Sequence, residues 1–193
     1  MKNIILIGDS IRIRYQPYVA EALAGVADVW GPEDNCKASC IVLRHLEPWV
    51  LSRLADVVHI NCGLHDTVFK TEDQQPSDRP WVNLEQYKQN VRAILTAIRQ
   101  RTDTTVIWAT TTPVNVALFN QTKPVRRVEG DIEAYNAVAT ALAAEFDVSV
   151  NDLYDFVMHH GRDRMLCPDA VHFTDEGSRL LGRCVAEVIH QYL

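Results

Sequence analysis

The alternation of short apolar runs with helix-like segments constrains the fold of this chain more than any other feature. The apolar runs have the length and composition of buried β-strands and are bounded by turn residues. They cover residues 4–7, 26–30, 56–60 and 104–110, with a weaker fifth at 147–150. Strands that alternate with helices predict an α/β fold in which a parallel sheet is covered by helices on both faces.

Between and after these strands, apolar residues recur every three or four positions, the spacing of amphipathic helices. The three longest such segments cover residues 84–98, 128–146 and 181–192. Asn83 and Thr174 are the expected N-caps of the first and the last helix, because their side chains can accept hydrogen bonds from the first helical turn. The sequence contains no internal repeat, and we expect one domain over residues 1–193.

The composition excludes several classes of protein. Hydrophobic residues make up 47% and charged residues 23% of the chain, as in an ordinary soluble globular protein. The net charge of −6 argues against a nucleic-acid partner, which needs clustered Lys and Arg. No apolar run reaches the ~20 residues of a membrane span, and the N-terminus lacks the features of a signal peptide. The five scattered cysteines are then free thiols, and we expect a cytoplasmic protein.

The tripeptide Gly8-Asp9-Ser10 directly follows the first predicted strand. Ligands of open parallel sheets bind beyond the carboxyl ends of the strands. A serine at this point presents its hydroxyl at that edge, and its N–H, close to a helix start, can face an anion. The same tripeptide also suits an ordinary turn and helix cap. It therefore indicates a nucleophile only in combination with a base.

Such a base is available at the other end of the chain. Asp169 and His172 lie three residues apart in a predicted turn, just before the last helix. The carboxylate can accept a hydrogen bond from the imidazole Nδ1–H, which leaves Nε2 free to take a proton from Ser10. Together the two clusters predict a triad of Ser10, His172 and Asp169.

A third polar cluster, residues 61–66, follows the third predicted strand. Gly63 permits a tight turn there, and a polar side chain beyond it points over the same edge of the sheet. A hydrogen-bond donor in this position can stabilise an oxyanion.

These blocks resemble those of the SGNH (GDSL) hydrolase family of esterases and lipases. The first family block, Gly-Asp-Ser after an N-terminal strand, is matched by residues 8–10, and the last, Asp-x-x-His, by Asp169 and His172. The resemblance spans nearly the whole chain. It implies a flavodoxin-like three-layer α/β/α sandwich with a parallel five-stranded sheet, Ser10 as nucleophile, His172 as general base and acid, and Asp169 as its orienting partner.

The middle blocks depart from the family pattern. The third block is normally Gly-x-Asn-Asp, whose asparagine donates to the oxyanion, but residues 63–66 read Gly-Leu-His-Asp. We expect His65 to replace the asparagine, with Asn61 as the alternative donor. The second block supplies a backbone N–H, for which Gly31 and the segment Asn35–Cys36 are candidates. We favour this segment and assign the donor to Cys36.

The resemblance implies a serine esterase that acts on a small-molecule ester through an acyl-serine and needs no metal or organic cofactor. We expect a short acyl group, such as an acetyl group on a carbohydrate, because no long apolar segment resembles a lipid lid. One alternative is an acyltransferase on the same scaffold. Another is a flavodoxin-like binding or regulatory module that has lost turnover. The sequence leaves the oligomeric state open.

Several further residues are candidates for contact with the substrate. Two long loops, residues 70–80 and 111–126, are expected to border the site. Trp81 follows the first of these loops and could stack on a sugar ring or cover an acyl chain. Arg12 and Arg14 follow Ser10 closely and serve either in packing or in binding a negatively charged substrate group.

Overall fold

A computed structural model of the chain describes all 193 residues. The strands are β1 (Lys2–Ile7), β2 (Ala27–Trp30), β3 (Val57–Ile60), β4 (Thr105–Ala109) and β5 (Ser149–Asn151). The helices are α1 (Ser10–Ala22), α2 (Ser39–Arg44), α3 (Leu84–Arg101), α4 (Val116–Thr122), α5 (Asp131–Glu145), α6 (Leu153–His160), α7 (Arg162–Met165) and α8 (Asp175–His190), with a π-helical turn at Glu47–Leu51. No helix is both long and apolar enough to cross a membrane.

The predicted α/β class is confirmed, because the five strands form one all-parallel sheet with helices on both faces. The predicted caps are also present. Asn83 Oδ1 accepts a hydrogen bond from Gln86 N at 2.9 Å, and Thr174 Oγ1 accepts one from Gly177 N at 3.0 Å. Each cap satisfies a backbone donor that the first helical turn leaves without a partner.

Three differences from the sequence-based expectation have local causes. The helix expected from residue 128 begins at Asp131, because Gly130, with φ of 86°, turns the chain immediately before it. The fifth strand begins at Ser149 and not at residue 147, since Asp147, with φ of 52°, belongs to the preceding turn. The predicted loop 111–126 contains the short helix α4.

The alternation of side chains along β1 explains the three layers. Ile4 and Leu6 point to one face of the sheet and pack in a core with residues of α1 and α8. Ile5 and Ile7 point to the other face and pack in a second core with residues of α3 and α5. Successive strand residues face opposite sides, so a strand buried on both sides is apolar throughout.

The order of the strands places a crevice beside the first strand. The sheet order is β2-β1-β3-β4-β5. The chain therefore moves outward from β1 to β2 and then crosses to the other side of β1, so that the order reverses between β1 and β3. Ligands of open α/β sheets bind at this reversal, outside the carboxyl ends of the strands. Ser10 follows β1 and residues 61–66 follow β3, so both border this crevice.

Candidate active site

Ser10 is the first residue of α1, where the chain leaves β1 and turns into the helix. The preceding Asp9 is the N-cap, and its Oδ1 accepts a hydrogen bond from Ile11 N at 2.8 Å. This cap fixes the start of the helix and holds the Ser10 side chain at the edge of the sheet. The backbone N–H of Ser10 donates no hydrogen bond within the chain and is free to meet a ligand.

Asp169 and His172 lie in a turn that the surrounding chain holds in place. Ala170 adopts a left-handed conformation with φ of 69°, and its carbonyl oxygen accepts a hydrogen bond from Asn115 N at 3.0 Å. The turn brings Asp169 Oδ2 to 2.5 Å from His172 Nδ1, while Asp169 Oδ1 accepts from the backbone N–H of His172 at 2.9 Å. A non-glycine residue in this conformation is strained, and such strain is common at functional sites.

The structure brings the three residues of the predicted triad into one hydrogen-bonded row. Ser10 Oγ lies 2.9 Å from His172 Nε2, on the opposite side of the ring from Asp169. Partial burial disfavours ionisation of Asp169, but hydrogen bonds from His172 and from backbone N–H groups outweigh it and lower its pKa to about 2. An ionised Asp169 keeps the hydrogen of His172 on Nδ1, so that Nε2 can accept the proton of Ser10.

The third block turns sharply after β3 because its glycine allows it. Gly63 has φ of 144°, and a Cβ atom at this position would lie 2.3 Å from Thr111 Oγ1. The turn points Asp66 inward, where its carboxylate accepts hydrogen bonds from Ser39 N, at 3.0 Å, and from Ser39 Oγ, at 2.5 Å. Asp66 thus ties the third block to the first residue of α2 and fixes the segment before that helix.

His65 lies beside the triad, and its two ring nitrogens face the side chains of Lys70 and Asn35. Lys70 Nζ is 3.4 Å from His65 Nδ1. Because this donor is charged and closer than Asn35 Nδ2 is to Nε2, we assign the acceptor to Nδ1 and the ring hydrogen to Nε2. Burial, together with positive charges led by that of Lys70, lowers the pKa of His65 to about 3. His65 is therefore a neutral side chain with a donor at Nε2.

The segment before α2 supplies a donor, but not the one we predicted. The N–H of Cys36 donates to the carbonyl oxygen of Gly8 at 3.3 Å, so the assignment of Cys36 to the oxyanion hole is wrong. The neighbouring Asn35 N–H donates no hydrogen bond within the chain. Asn35 Oδ1 accepts from Lys37 N, and Asn35 Nδ2 lies 3.5 Å from His65 Nε2. Two side-chain donors therefore converge beside the free N–H.

The alternative donor Asn61 is not available to a ligand. Its Nδ2 donates to the carbonyl oxygen of Ala109 at 2.8 Å and lies 3.4 Å from Thr111 Oγ1. The reason is its place directly after β3, where it bridges to the neighbouring strand β4. Asn61 thus supports the sheet edge, and the structure favours His65 as the side-chain donor of the third block.

An open cleft of about 410 Å³ extends from the triad. Both long loops predicted to border the site contribute to it, through Lys70 and Gln74 from the first and Phe119 and Val125 from the second. Trp81 is not part of its lining. The Trp81 ring lies edge-on to His65, with 6.2 Å between the ring centroids, and therefore supports the histidine.

The two arginines next to the nucleophile serve in packing and do not line the cleft. Arg12 is buried and donates to the carbonyl oxygen of Asp34 at 3.0 Å, and Arg14 donates to that of Phe173 at 3.3 Å. The basic residues of the cleft are Lys70, Lys123 and Arg127, which the sequence analysis did not identify. Only the expectation that the loop 70–80 borders the site pointed towards Lys70.

Both the sequence and the fold resemble known proteins. The model of the GDSL-like lipase/acylhydrolase family matches residues 6–180, which includes every block described above. No curated protein matches the sequence significantly.

Solved structures resemble the whole chain. A lipase/acylhydrolase from Enterococcus faecalis is 22% identical with a TM-score of 0.80, and the match covers 99% of this chain and 96% of that chain. An acetyl xylan esterase is 19% identical with a TM-score of 0.77, covering 97% and 99%. An acetylxylan esterase from Geobacillus stearothermophilus is 18% identical with a TM-score of 0.75, covering 97% and 94%. At these identities the likeness shows the fold.

Proposed function

Because this chain belongs to the GDSL-like lipase/acylhydrolase family and is a hydrolase of ester bonds, we propose that Ser10 is its nucleophile and that its substrates are short-chain acyl esters. The observation that carries the first part is the row of hydrogen bonds from Ser10 Oγ through His172 to Asp169. A serine hydroxyl is a weak nucleophile until a base takes its proton, and Nε2 of His172 lies within hydrogen-bond distance to do so.

In the proposed reaction, Ser10 Oγ attacks the ester carbonyl carbon while its proton passes to His172 Nε2. Asp169 stabilises the imidazolium that results. The tetrahedral intermediate collapses, and His172 returns the proton to the departing alcohol oxygen, which leaves an acyl-serine. Water then attacks the acyl carbon, His172 takes a proton from it, and collapse of the second intermediate releases the acid and returns the proton to Ser10.

The oxyanion of each intermediate is stabilised by donors that need no rearrangement. We assign this role to the free N–H groups of Ser10 and Asn35 and to the Nε2–H of His65, with the amide of Asn35 beside it. These donors come from three segments, which follow β1, β2 and β3. Preorganised donors of this kind stabilise the charge that develops in the transition state, because they are already oriented before the reaction begins.

A short acyl group, such as an acetyl group on a carbohydrate, agrees best with the volume of the cleft and with the names of the structural neighbours. The cleft of about 410 Å³ must accommodate both the acyl group and the alcohol, and a volume in the range of ~300–1,000 Å³ is typical of small-molecule sites. Two of the structural neighbours carry the name acetylxylan esterase.

The test compares wild type with Ser10→Ala on p-nitrophenyl acetate, butyrate and octanoate. We expect turnover that decreases from acetate to octanoate and falls by at least ~10³-fold in the variant. Circular dichroism would check that the variant is folded. Equal rates in wild type and variant would contradict the role of Ser10. Turnover highest on octanoate would contradict the short-acyl proposal and leave the role of Ser10 intact.

A further inference from the structure

The wall of the cleft that carries His65 contains two buried cations without an ion-pair partner. Lys70 and Arg127 are only 7% and 5% exposed, and neither forms a salt bridge. Both line the same cleft as Ser10 and His172. Charged side chains are rarely buried without a counter-ion, since removal from water is costly.

The contacts of Lys70 are all with neutral groups. Its Nζ donates to Gln74 Oε1 at 2.5 Å and to His65 Nδ1 at 3.4 Å, and it lies 4.8 Å from the centroid of the Trp81 ring. Burial, with the positive charges of Arg127 and Lys37, lowers the pKa of Lys70 to about 8, and no carboxylate raises it. Lys70 is therefore a cation at neutral pH that lacks a negative partner in the protein.

Arg127 differs from Lys70 because two of its five N–H donors hold the segment after β3 in place. Its Nη1 donates to the carbonyl oxygen of Leu64 and to Thr67 Oγ1, both at 2.7 Å, and its guanidinium lies 4.9 Å from the centroid of the Phe119 ring. Its Nε is buried without a partner. Burial lowers the pKa of Arg127 to about 10, against the opposing effect of the charges of Asp9 and Asp131, neither of which forms an ion pair with it. Arg127 is thus anchored to the third block and adds positive charge to the wall, while Lys70 is the cation in direct contact with His65.

We propose that the cleft selects esters that carry a carboxylate, and that this carboxylate pairs with Lys70 while the ester carbonyl lies at Ser10. The inference rests on the proposed function and specifies its substrate class. Lys70 Nζ is separated from the donor atom of His65 by the width of one imidazole ring. A charge bound there lies close to the scissile bond without taking the place of the oxyanion. Lys70 is the one buried ammonium group of the cleft, since Lys123 is exposed, and a single charge matches a carboxylate better than a doubly charged phosphate.

An alternative is that the positive charge of Lys70 and Arg127 stabilises only the oxyanion. In that case Lys70 acts on the transition state of every ester, through His65 or through space, and a charge elsewhere on the substrate makes no difference. The two readings make different predictions for a pair of esters that are alike except for one charge. The comparison must therefore be a ratio of two substrates, because the rate on one ester would fall under both readings.

The experiment measures kcat and KM for 4-acetoxybenzoate and for the neutral 4-acetoxybenzamide. Wild type is compared with Lys70→Met, which keeps the apolar stem, and with Lys88→Met, which removes an exposed lysine from α3. We expect wild type and Lys88→Met to prefer the anionic ester. In Lys70→Met the preference should fall about tenfold, mainly through KM, as expected for loss of a charge-assisted hydrogen bond.

Equal preferences in wild type and Lys70→Met, or a wild type that prefers the neutral ester, would overturn the proposal. Should Lys70→Met fail to fold, calorimetry measures the binding of 4-hydroxybenzoate and of 4-hydroxybenzamide to wild type. We expect the anion to bind more tightly, and equal affinities would contradict the proposal. Hydrolysis of the neutral ester by wild type, and its loss in Ser10→Ala, tests the proposed function separately.

Discussion

The two sides of the cleft hold charge in different ways. On the triad side, the carboxylate of Asp169 is paired with His172 and with backbone N–H groups, and the pair is partly exposed to water. On the opposite side, Lys70 and Arg127 are buried without carboxylate partners, and His65 is neutral beside them. The one charge of the triad is therefore held by hydrogen bonds before a substrate binds, whereas the cations of the His65 side face no anion.

This difference assigns different tasks to the two sides. A hydrogen-bonded triad moves a proton between Ser10 and His172 for any ester that reaches it. An uncompensated wall attracts negative charge, both the oxyanion that forms during the reaction and, in our proposal, a carboxylate of the substrate. Substitutions on the triad side should then lower the rate on all substrates, while substitutions on the His65 side should also change selectivity.

The largest effect within this comparison is expected for Asp169→Asn. An amide cannot hold the hydrogen of His172 on Nδ1 or stabilise the imidazolium, so kcat on p-nitrophenyl acetate should fall by roughly 10²–10⁴-fold. Asp155→Asn is the matched control, because Asp155 also faces a histidine, His159 at 3.1 Å, but lies on the exposed surface of α6. An Asp169→Asn variant as active as this control would show that the triad side does not depend on its carboxylate.

An intermediate effect is expected on the opposite side of the cleft. Removal of one oxyanion donor costs about 10²–10³ in rate, so His65→Ala should lower kcat by that factor, while His65→Asn, with the residue usual in the family, should lose less. Asn61→Ala should leave kcat close to that of wild type, because Asn61 Nδ2 already bonds to Ala109. The assignment of His65 fails if its alanine variant keeps full activity and Asn61→Ala loses it.

The smallest effect concerns stability at acid pH. The pKa of His65 is about 3 in the folded protein, so between the ordinary value near 6.5 and pH 3 only the unfolded chain takes up this proton. Stability therefore decreases as the pH falls below about 6.5, by at most about 2 kcal/mol at pH 5.

Urea unfolding at pH 7.5 and pH 5 measures this loss. His65→Asn, which has no proton to take up, should lose correspondingly less stability than wild type over the same interval. The difference between the two proteins cancels contributions of opposite sign from other buried groups, such as Asp66, whose pKa burial raises to about 7. Equal losses in both proteins would show that His65 is not held neutral by its surroundings.

The triad and the sheet were predictable because their signals are local. A buried parallel strand is a continuous apolar run, which can be recognised from a few consecutive residues. The turn that joins Asp169 to His172 spans only three residues, so its hydrogen bonds also form between residues that are close in sequence. The family motif then linked Ser10 to this turn across the whole chain. The structure places these three residues together, as the motif predicts.

The other side of the cleft could not be predicted in the same way. Cys36 and Asn35 are adjacent in sequence, and only the hydrogen bond from Cys36 N to Gly8 in the folded chain decides which N–H is free. Lys70 and Arg127 are far apart in sequence and become one cluster by packing around His65. Burial of a cation without a partner has no sequence signature, because an isolated Lys or Arg is normally expected at the surface.

The central claim, that Ser10 is the nucleophile activated by His172, is tested most directly by covalent labelling with a fluorophosphonate. Intact-mass analysis of wild type should show one adduct per chain, and peptide mapping should locate it at Ser10. Labelling should be absent in Ser10→Ala and much slower in His172→Ala, because the hydroxyl then lacks its base. An adduct on a different residue, or no adduct on a folded protein that hydrolyses esters, would contradict the claim.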